Sequence, residues 1–146
     1  MSYHFDHIGI VVKNIEEAIQ LYGKILGLVP SEKGIIKIPE HGIKVALLPI
    51  GDRFIELIEP MENKNGSESR FTKFLREKGE GLFHFSVLTD DYDAQVSILK
   101  GKGYNVVEEI GTGVFPGYEL RLAWLQPEDT RGVWIELVDK ASLPKP

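Results

Sequence analysis

The sequence predicts an α+β fold made of two βαβββ modules in tandem. Three observations carry this. A histidine-led apolar run occurs twice, at His7-Ile8-Gly9-Ile10-Val11-Val12 and at His84-Phe85-Ser86-Val87-Leu88. A second phrase also occurs twice, Phe54-Ile55-Glu56-Leu57-Ile58 and Trp134-Ile135-Glu136-Leu137-Val138. Each pair is separated by a similar interval, 77 positions from His7 to His84 and 80 from Glu56 to Glu136, so the two halves align with about three residues of loop difference. Recurrence of several element types in one order points to duplication rather than to a chance likeness of apolar strands.

The elements follow in chain order. The His7–Val12 run is β-prone and apolar. Seven positions after His7 stands Asn14, a helix N-cap candidate, with Glu17 placed to complete a capping box. Ile15, Ala18, Ile19, Tyr22, Ile25 and Leu26 then keep helical spacing until Gly27 can end the helix. Three strand-like runs follow at Lys33–Ile38, Ile43–Leu48 and Arg53–Glu59. Ser67–Lys78 reads as a connecting helix with Phe71, Phe74 and Leu75 on one face. In the second half Asp91 is the equivalent N-cap candidate, Tyr92, Val96 and Leu99 form the helix stripe, and Gly101 or Gly103 closes it. Strand-like runs return at Tyr104–Ile110, Tyr118–Leu125 and Val133–Asp139. The expected organisation is a first module over residues 1–62, a connecting helix within 63–80, a second module over 81–140 and a tail over 141–146, the one segment where disorder is expected.

Composition bounds the function. With 42% hydrophobic and 27% charged residues the chain is ordinary for a globular protein. No run approaches the roughly 20 apolar residues of a membrane span, and the first residues lack the basic, apolar character of a signal peptide. The formal charge of −5 and the lack of a basic patch argue against nucleic-acid or membrane partners. Cysteine is absent, so any metal must be held by nitrogen and oxygen. These features fit a cytoplasmic protein acting on a small molecule.

Strand alternation isolates four polar side chains. If Ile8, Ile10 and Val12 pack under the first helix, His7 faces the other way; Phe83, Phe85 and Val87 likewise leave His84 and Ser86 on the opposite face. Glu56 and Glu136 are each flanked by inward apolar residues. A carboxylate buried alone in such a strand costs several kcal/mol, so it must be solvated, paired or bound to metal. A wet sheet face, simple His–Glu salt bridges, or hydrogen-bonded core histidines would each explain one residue. The same residue types at equivalent positions in both halves favour metal binding by His7, Glu56, His84 and Glu136. Two imidazoles and two carboxylates suit Zn²⁺, Ni²⁺, Co²⁺, Mn²⁺ or Fe²⁺. His4 and His41 lack this strand context.

From about Phe5 to Val138 the chain resembles the vicinal oxygen chelate superfamily, which includes glyoxalase I, methylmalonyl-CoA epimerase, extradiol dioxygenases and bleomycin-resistance proteins. The resemblance implies a glyoxalase-like fold, two βαβββ modules forming a curved mixed-sheet cleft, with metal ligands at His7, Glu56, His84 and Glu136. Asp6–Val12, Pro39-Glu40-His41-Gly42-Ile43, Glu56–Pro60, Gly79–Leu82 with His84, and Pro127–Thr130 leading to Glu136 are most similar to methylmalonyl-CoA epimerase. That similarity implies Glu40 and Glu136 as the acid/base pair, proton movement α to a carbonyl through a metal-stabilised enolate, an acyl-CoA substrate, a homodimer, and Co, Ni, Zn or Mn as the divalent ion. Two departures are visible: Phe83 stands where epimerases carry a first of two histidines, and Gly111–Gly117 differs from the usual epimerase wording. The His-Glu-His-Glu set also resembles bacterial glyoxalase I, a lactoylglutathione lyase. An oxygenase of the superfamily or a non-catalytic binding protein completes the alternatives. Lys33, Lys37, Lys44 and Arg121 are candidate anion contacts.

Overall fold

A computed structural model describes residues 3–63 and 66–145. The order is β1 (Tyr3–Val11), α1 (Ile15–Leu26), β2 (Ile35–Ile38), β3 (Ile43–Ile50), β4 (Arg53–Pro60), α2 (Arg70–Lys78), β5 (Gly81–Thr89), α3 (Tyr92–Gly101), β6 (Val106–Gly111), β7 (Leu120–Leu125), α4 (Pro127–Thr130) and β8 (Trp134–Asp139). Short 3₁₀ turns follow β2 at Pro39–His41 and β8 at Lys140–Ser142. The chain divides into two compact units, one of His7–Phe83 and one of Met1–Asp6 with His84–Pro146. Each is described by itself.

In the His7–Phe83 unit the strand order is β2-β3-β4-β1. β1 runs parallel to β4, with Ile8 beside Ile55 and Gly9 beside Glu56, and β3 is antiparallel to both β2 and β4. The parallel pair needs a crossover, and α1 begins it. The Asn14 carboxamide accepts from Glu17 N–H at 3.0 Å, as the capping pattern predicts, and Glu59 rather than a helix residue accepts from Ile15 N–H at 2.8 Å. Gly27, with φ of 68°, ends the helix by donating to the Gly23 carbonyl. Under α1 lies a core of Val12, Ile15, Ala18, Ala46, Leu48, Ile55 and Leu57, with Ile8 and Ile10 packed against it. The helix keeps its expected length, but Ile25 and Leu26 in its last turn are exposed.

In the other unit the order is β5-β8-β7-β6, with β5 parallel to β8 and β7 antiparallel to its two neighbours. Ser86 sits beside Glu136, as Gly9 does beside Glu56. Tyr92, Val96, Ala123 and Leu137 form the core under α3, joined by Val87, Leu99 and Ile135. The Tyr3 hydroxyl ties the first strand to α3 by donating to Gln95 at 2.8 Å. Asp91 occupies the N-cap position of α3, but no side-chain cap bond forms there; Thr89 Oγ1 accepts from the Asp91 N–H instead. Ala141 and Ser142 are held by hydrogen bonds to Asp139 and Arg121. The two units thus repeat one topology, and the fold class is α+β. Among the described residues no helix is long and apolar enough to cross a membrane.

The connecting helix α2 starts at Ser69, whose hydroxyl accepts from Thr72 N–H at 3.1 Å. Its Phe71 and Phe74 rings pack on Phe83, at 4.9 and 5.2 Å between centroids. Phe83 therefore serves α2, a use of the β5 face that strand alternation alone did not distinguish from packing under α3.

Candidate metal centre

Each unit brings one histidine and one glutamate together on the sheet face away from its helix. In the His7–Phe83 unit, His7 Nε2 lies 3.6 Å from Glu56 Oε1. In the other, His84 Nε2 lies 3.7 Å from Glu136 Oε1. The geometry follows from register. β1 and β4 are parallel neighbours, as are β5 and β8, so a histidine two positions before the residue beside a glutamate shares that glutamate's face. His7 and His84 are 7% and 1% exposed, and the Glu56 and Glu136 side chains 16% and 13%. Carboxylates so withdrawn from water require a compensating partner.

The separations are informative. Both exceed the range of about 2.7–3.2 Å for an N–H···O hydrogen bond. Two ligands bound at about 2.1 Å to one tetrahedral or octahedral ion stand roughly 3–3.5 Å apart, so each pair needs little adjustment to share an ion. A further observation favours a polar occupant. Ser86 is wholly buried, its hydroxyl has no hydrogen-bond partner among the described residues, and it lies on the His84 face beside Glu136. The donor set, imidazole and carboxylate without thiolate, suits divalent ions from Mn²⁺ to Zn²⁺. The residues present fit such an ion.

Aromatic rings seat the histidines, and in a different way in each unit. His7 stacks on Phe54, 4.5 Å between centroids and 19° between planes. His84 meets Trp124 edge to face at 5.2 Å and 73°, and Trp124 meets Trp134 at 5.9 Å and 89°. Sequence reasoning missed these seats. The signal was present, since Phe54 and Trp134 stand two residues before the repeated glutamates and therefore on the same face.

Glu40 is exposed on the Pro39–His41 turn directly after β2. Gly42 closes the turn at φ of 66°, where an added Cβ would stand 3.3 Å from both Asn63 Cβ and the Met61 carbonyl oxygen. Of the candidate anion contacts, Arg121 is engaged within its own unit, pairing with Asp93 at 2.5 Å and Asp139 at 3.2 Å and lying over the Tyr92 ring. Lys44 pairs with Glu59 at 3.3 Å, whereas Lys37 is exposed and burial pulls the Lys33 ammonium below its ordinary value.

The sequence profile of the Glyoxalase/Bleomycin resistance protein/Dioxygenase superfamily matches residues 6–120. The chain belongs to this superfamily. Among its relatives is the mitochondrial methylmalonyl-CoA epimerase of Mus musculus, 32% identical over 136 residues that span 90% of this chain and 70% of that protein. Two solved structures are similar throughout. Methylmalonyl-CoA epimerase from Mycobacterium tuberculosis is 29% identical with a TM-score of 0.75, covering 97% of this chain and 88% of its own. A Streptomyces coelicolor methylmalonyl-CoA epimerase in complex with 2-nitronate-propionyl-CoA is 28% identical with a TM-score of 0.80, covering 100% of both chains. The glyoxalase-like fold expected of the superfamily is that of these neighbours, and the relatives named here are enzymes.

Proposed function

We propose that this superfamily member is a metal-dependent isomerase of the methylmalonyl-CoA epimerase kind, with His7, Glu56, His84 and Glu136 holding one divalent ion. The observation that carries the reading is the repetition of a buried histidine beside a largely buried glutamate at equivalent strand positions in both units. Names of relatives spanning nearly the whole chain support the substrate class, an acyl-CoA bearing an acidic α-proton.

A divalent ion in such a site supplies Lewis-acid stabilisation of the negative charge that develops on a thioester carbonyl when its α-proton leaves. The protein residues have separate tasks. Phe54 and Trp124 hold the imidazole rings of His7 and His84 in fixed orientations. Glu136 exchanges a proton at one face of the α-carbon. Glu40 exchanges it at the other, from a turn held by Pro39 and Gly42. Each carboxylate contributes about 10²–10⁴-fold as a positioned acid or base. Co, Ni, Zn and Mn all suit the donor set. The reading includes a homodimer, which sedimentation tests: a species of single-chain mass overturns that part.

The deciding experiment is solvent deuterium exchange with metal-reconstituted protein. It is run in parallel on methylmalonyl-CoA and on the hemithioacetal of methylglyoxal and glutathione. Label entering the α-position of methylmalonyl-CoA is expected. Turnover of the hemithioacetal alone would move the assignment to lactoylglutathione lyase, and reaction with neither overturns both isomerase readings.

A further inference from the structure

Trp124 is the point at which the two His–Glu pairs stop being alike. On β7 it stands opposite Glu136, the register position that Leu47 holds opposite Glu56 in the other unit. Its ring is 3% exposed, so its indole N–H needs an acceptor inside the fold. Glu109 on β6 provides one, with Trp124 Nε1 donating to Glu109 Oε2 at 3.2 Å. At the register position equivalent to Glu109, opposite Val45 as Glu109 is opposite Leu122, the His7–Phe83 unit has Ile36. At these two register positions the His84 side has an aromatic ring and a carboxylate anchor where the His7 side has Leu47 and Ile36.

Consecutive glutamates on β6 do different things because strand side chains alternate. Glu108 turns toward α3, where Lys100 donates to it at 2.9 Å and the Tyr92 hydroxyl at 3.2 Å. Glu109 turns to the opposite face, the one that carries His84, Ser86 and Glu136. A solvated surface glutamate would serve as well as any polar residue there. This one accepts from a buried indole, whose ring in turn meets the buried His84 imidazole at 5.2 Å between centroids.

We propose that Glu109 is a positioning residue for His84, acting through the Trp124 indole. The inference rests on the reading of His84 as a metal ligand. A carboxylate acceptor fixes the indole in its plane, and the indole edge limits rotation of the His84 ring, so that Nε2 stays aimed toward Glu136. Groups that orient a ligand from outside the coordination sphere alter metal affinity by about 10–100-fold. Because Glu109 acts one residue further out, the low end of that range applies.

The test uses the full chain, in the metal-free state and titrated with Zn²⁺ or Co²⁺ against a chromophoric chelator. Glu109→Ala is expected to weaken binding about tenfold and, in the metal-free protein, to shift the NMR signals of the Trp124 indole N–H and the His84 ring. Glu109→Gln keeps an acceptor oxygen and is expected to restore both. In a Trp124→Phe background, which lacks the N–H, Glu109→Ala should change neither the affinity nor the His84 ring signals. Wild-type affinity and unmoved His84 signals in Glu109→Ala overturn the proposal. So does a Glu109→Gln variant as impaired as Glu109→Ala, or an undiminished Glu109→Ala effect without the indole N–H. If the unaltered chain binds no metal, the ligand reading fails, and the His84 and Trp124 signals still decide whether Glu109 holds that ring.

Discussion

Phe83→His restores the paired histidines that the sequence lacks before its third candidate ligand, and we expect it to destabilise the protein substantially. Phe83 is 1% exposed and touches Phe71 and Phe74 at 4.9 and 5.2 Å. Burying a phenyl ring contributes about 1.5–3 kcal/mol, and each favourable ring pair about 0.5–1.5 kcal/mol more. An imidazole in the same place retains part of that area but brings an N–H that costs about 1–3 kcal/mol if it finds no acceptor. The net expectation is about 3–5 kcal/mol, or roughly 6–20 °C in melting temperature for a chain of this size. Phe83→Leu keeps the apolar contact and should cost about 1–2 kcal/mol. Thermal melts of the metal-free proteins read both. A Phe83→His variant within about 1 kcal/mol of the parent would show that the α2 contact does not stabilise the unit, and our account of that departure from the epimerase pattern would be wrong.

Three further predictions concern the site and its supports. Glu40→Gln should lower the rate of epimerisation by about 10²–10⁴-fold while leaving the melting temperature and metal content unchanged, since Glu40 is exposed; a full-rate variant removes Glu40 from the mechanism. Gly42→Ala forces a Cβ into a left-handed residue 3.3 Å from Met61 and Asn63, and should cost about 1–2 kcal/mol together with part of the rate that depends on the Glu40 turn, read by melting and by kinetics. The third is a pH effect. Burial, then the charge of Glu108 and its hydrogen bond, holds the Tyr92 phenol above its ordinary value of 10.0. A folded value above the unfolded one means that this stabilisation is complete below pH 10 and is lost as pH rises toward the folded value. Denaturation curves should therefore show the parent losing stability above pH 10, with Tyr92→Phe less pH-dependent there; parallel curves would contradict the burial argument.

Much of the architecture was legible in the sequence because two periodicities switch in the same order twice. His7 and His84 lie within the first strand of each module, Asn14 caps a helix that Gly27 ends, and the Glu56 and Glu136 phrases stand beside those first strands. Alternation also placed the four polar residues on the faces away from their helices. Other features depend on registry across strands and were hidden. Nothing in the local sequence tells that Trp124 stands opposite Glu136, or that Glu109 reaches it from β6. The end of α1 was legible too, since the helix stops at Leu26 with Gly27 as its cap. Ile25 and Leu26 continue the helical stripe, yet both are exposed, which spacing alone does not tell. At Asp91, position was right and chemistry was not, since Thr89 accepts the hydrogen bond at that helix start.

Metal stoichiometry tests the account most directly. Elemental analysis and calorimetric titration of the purified chain with Co²⁺ or Zn²⁺ should give one tight equivalent. His7→Ala and His84→Ala, which remove one ligand from each unit, should each abolish it without unfolding the protein. Two independent equivalents, or full occupancy retained by either variant, would mean that the duplicated pairs do not act on a single ion.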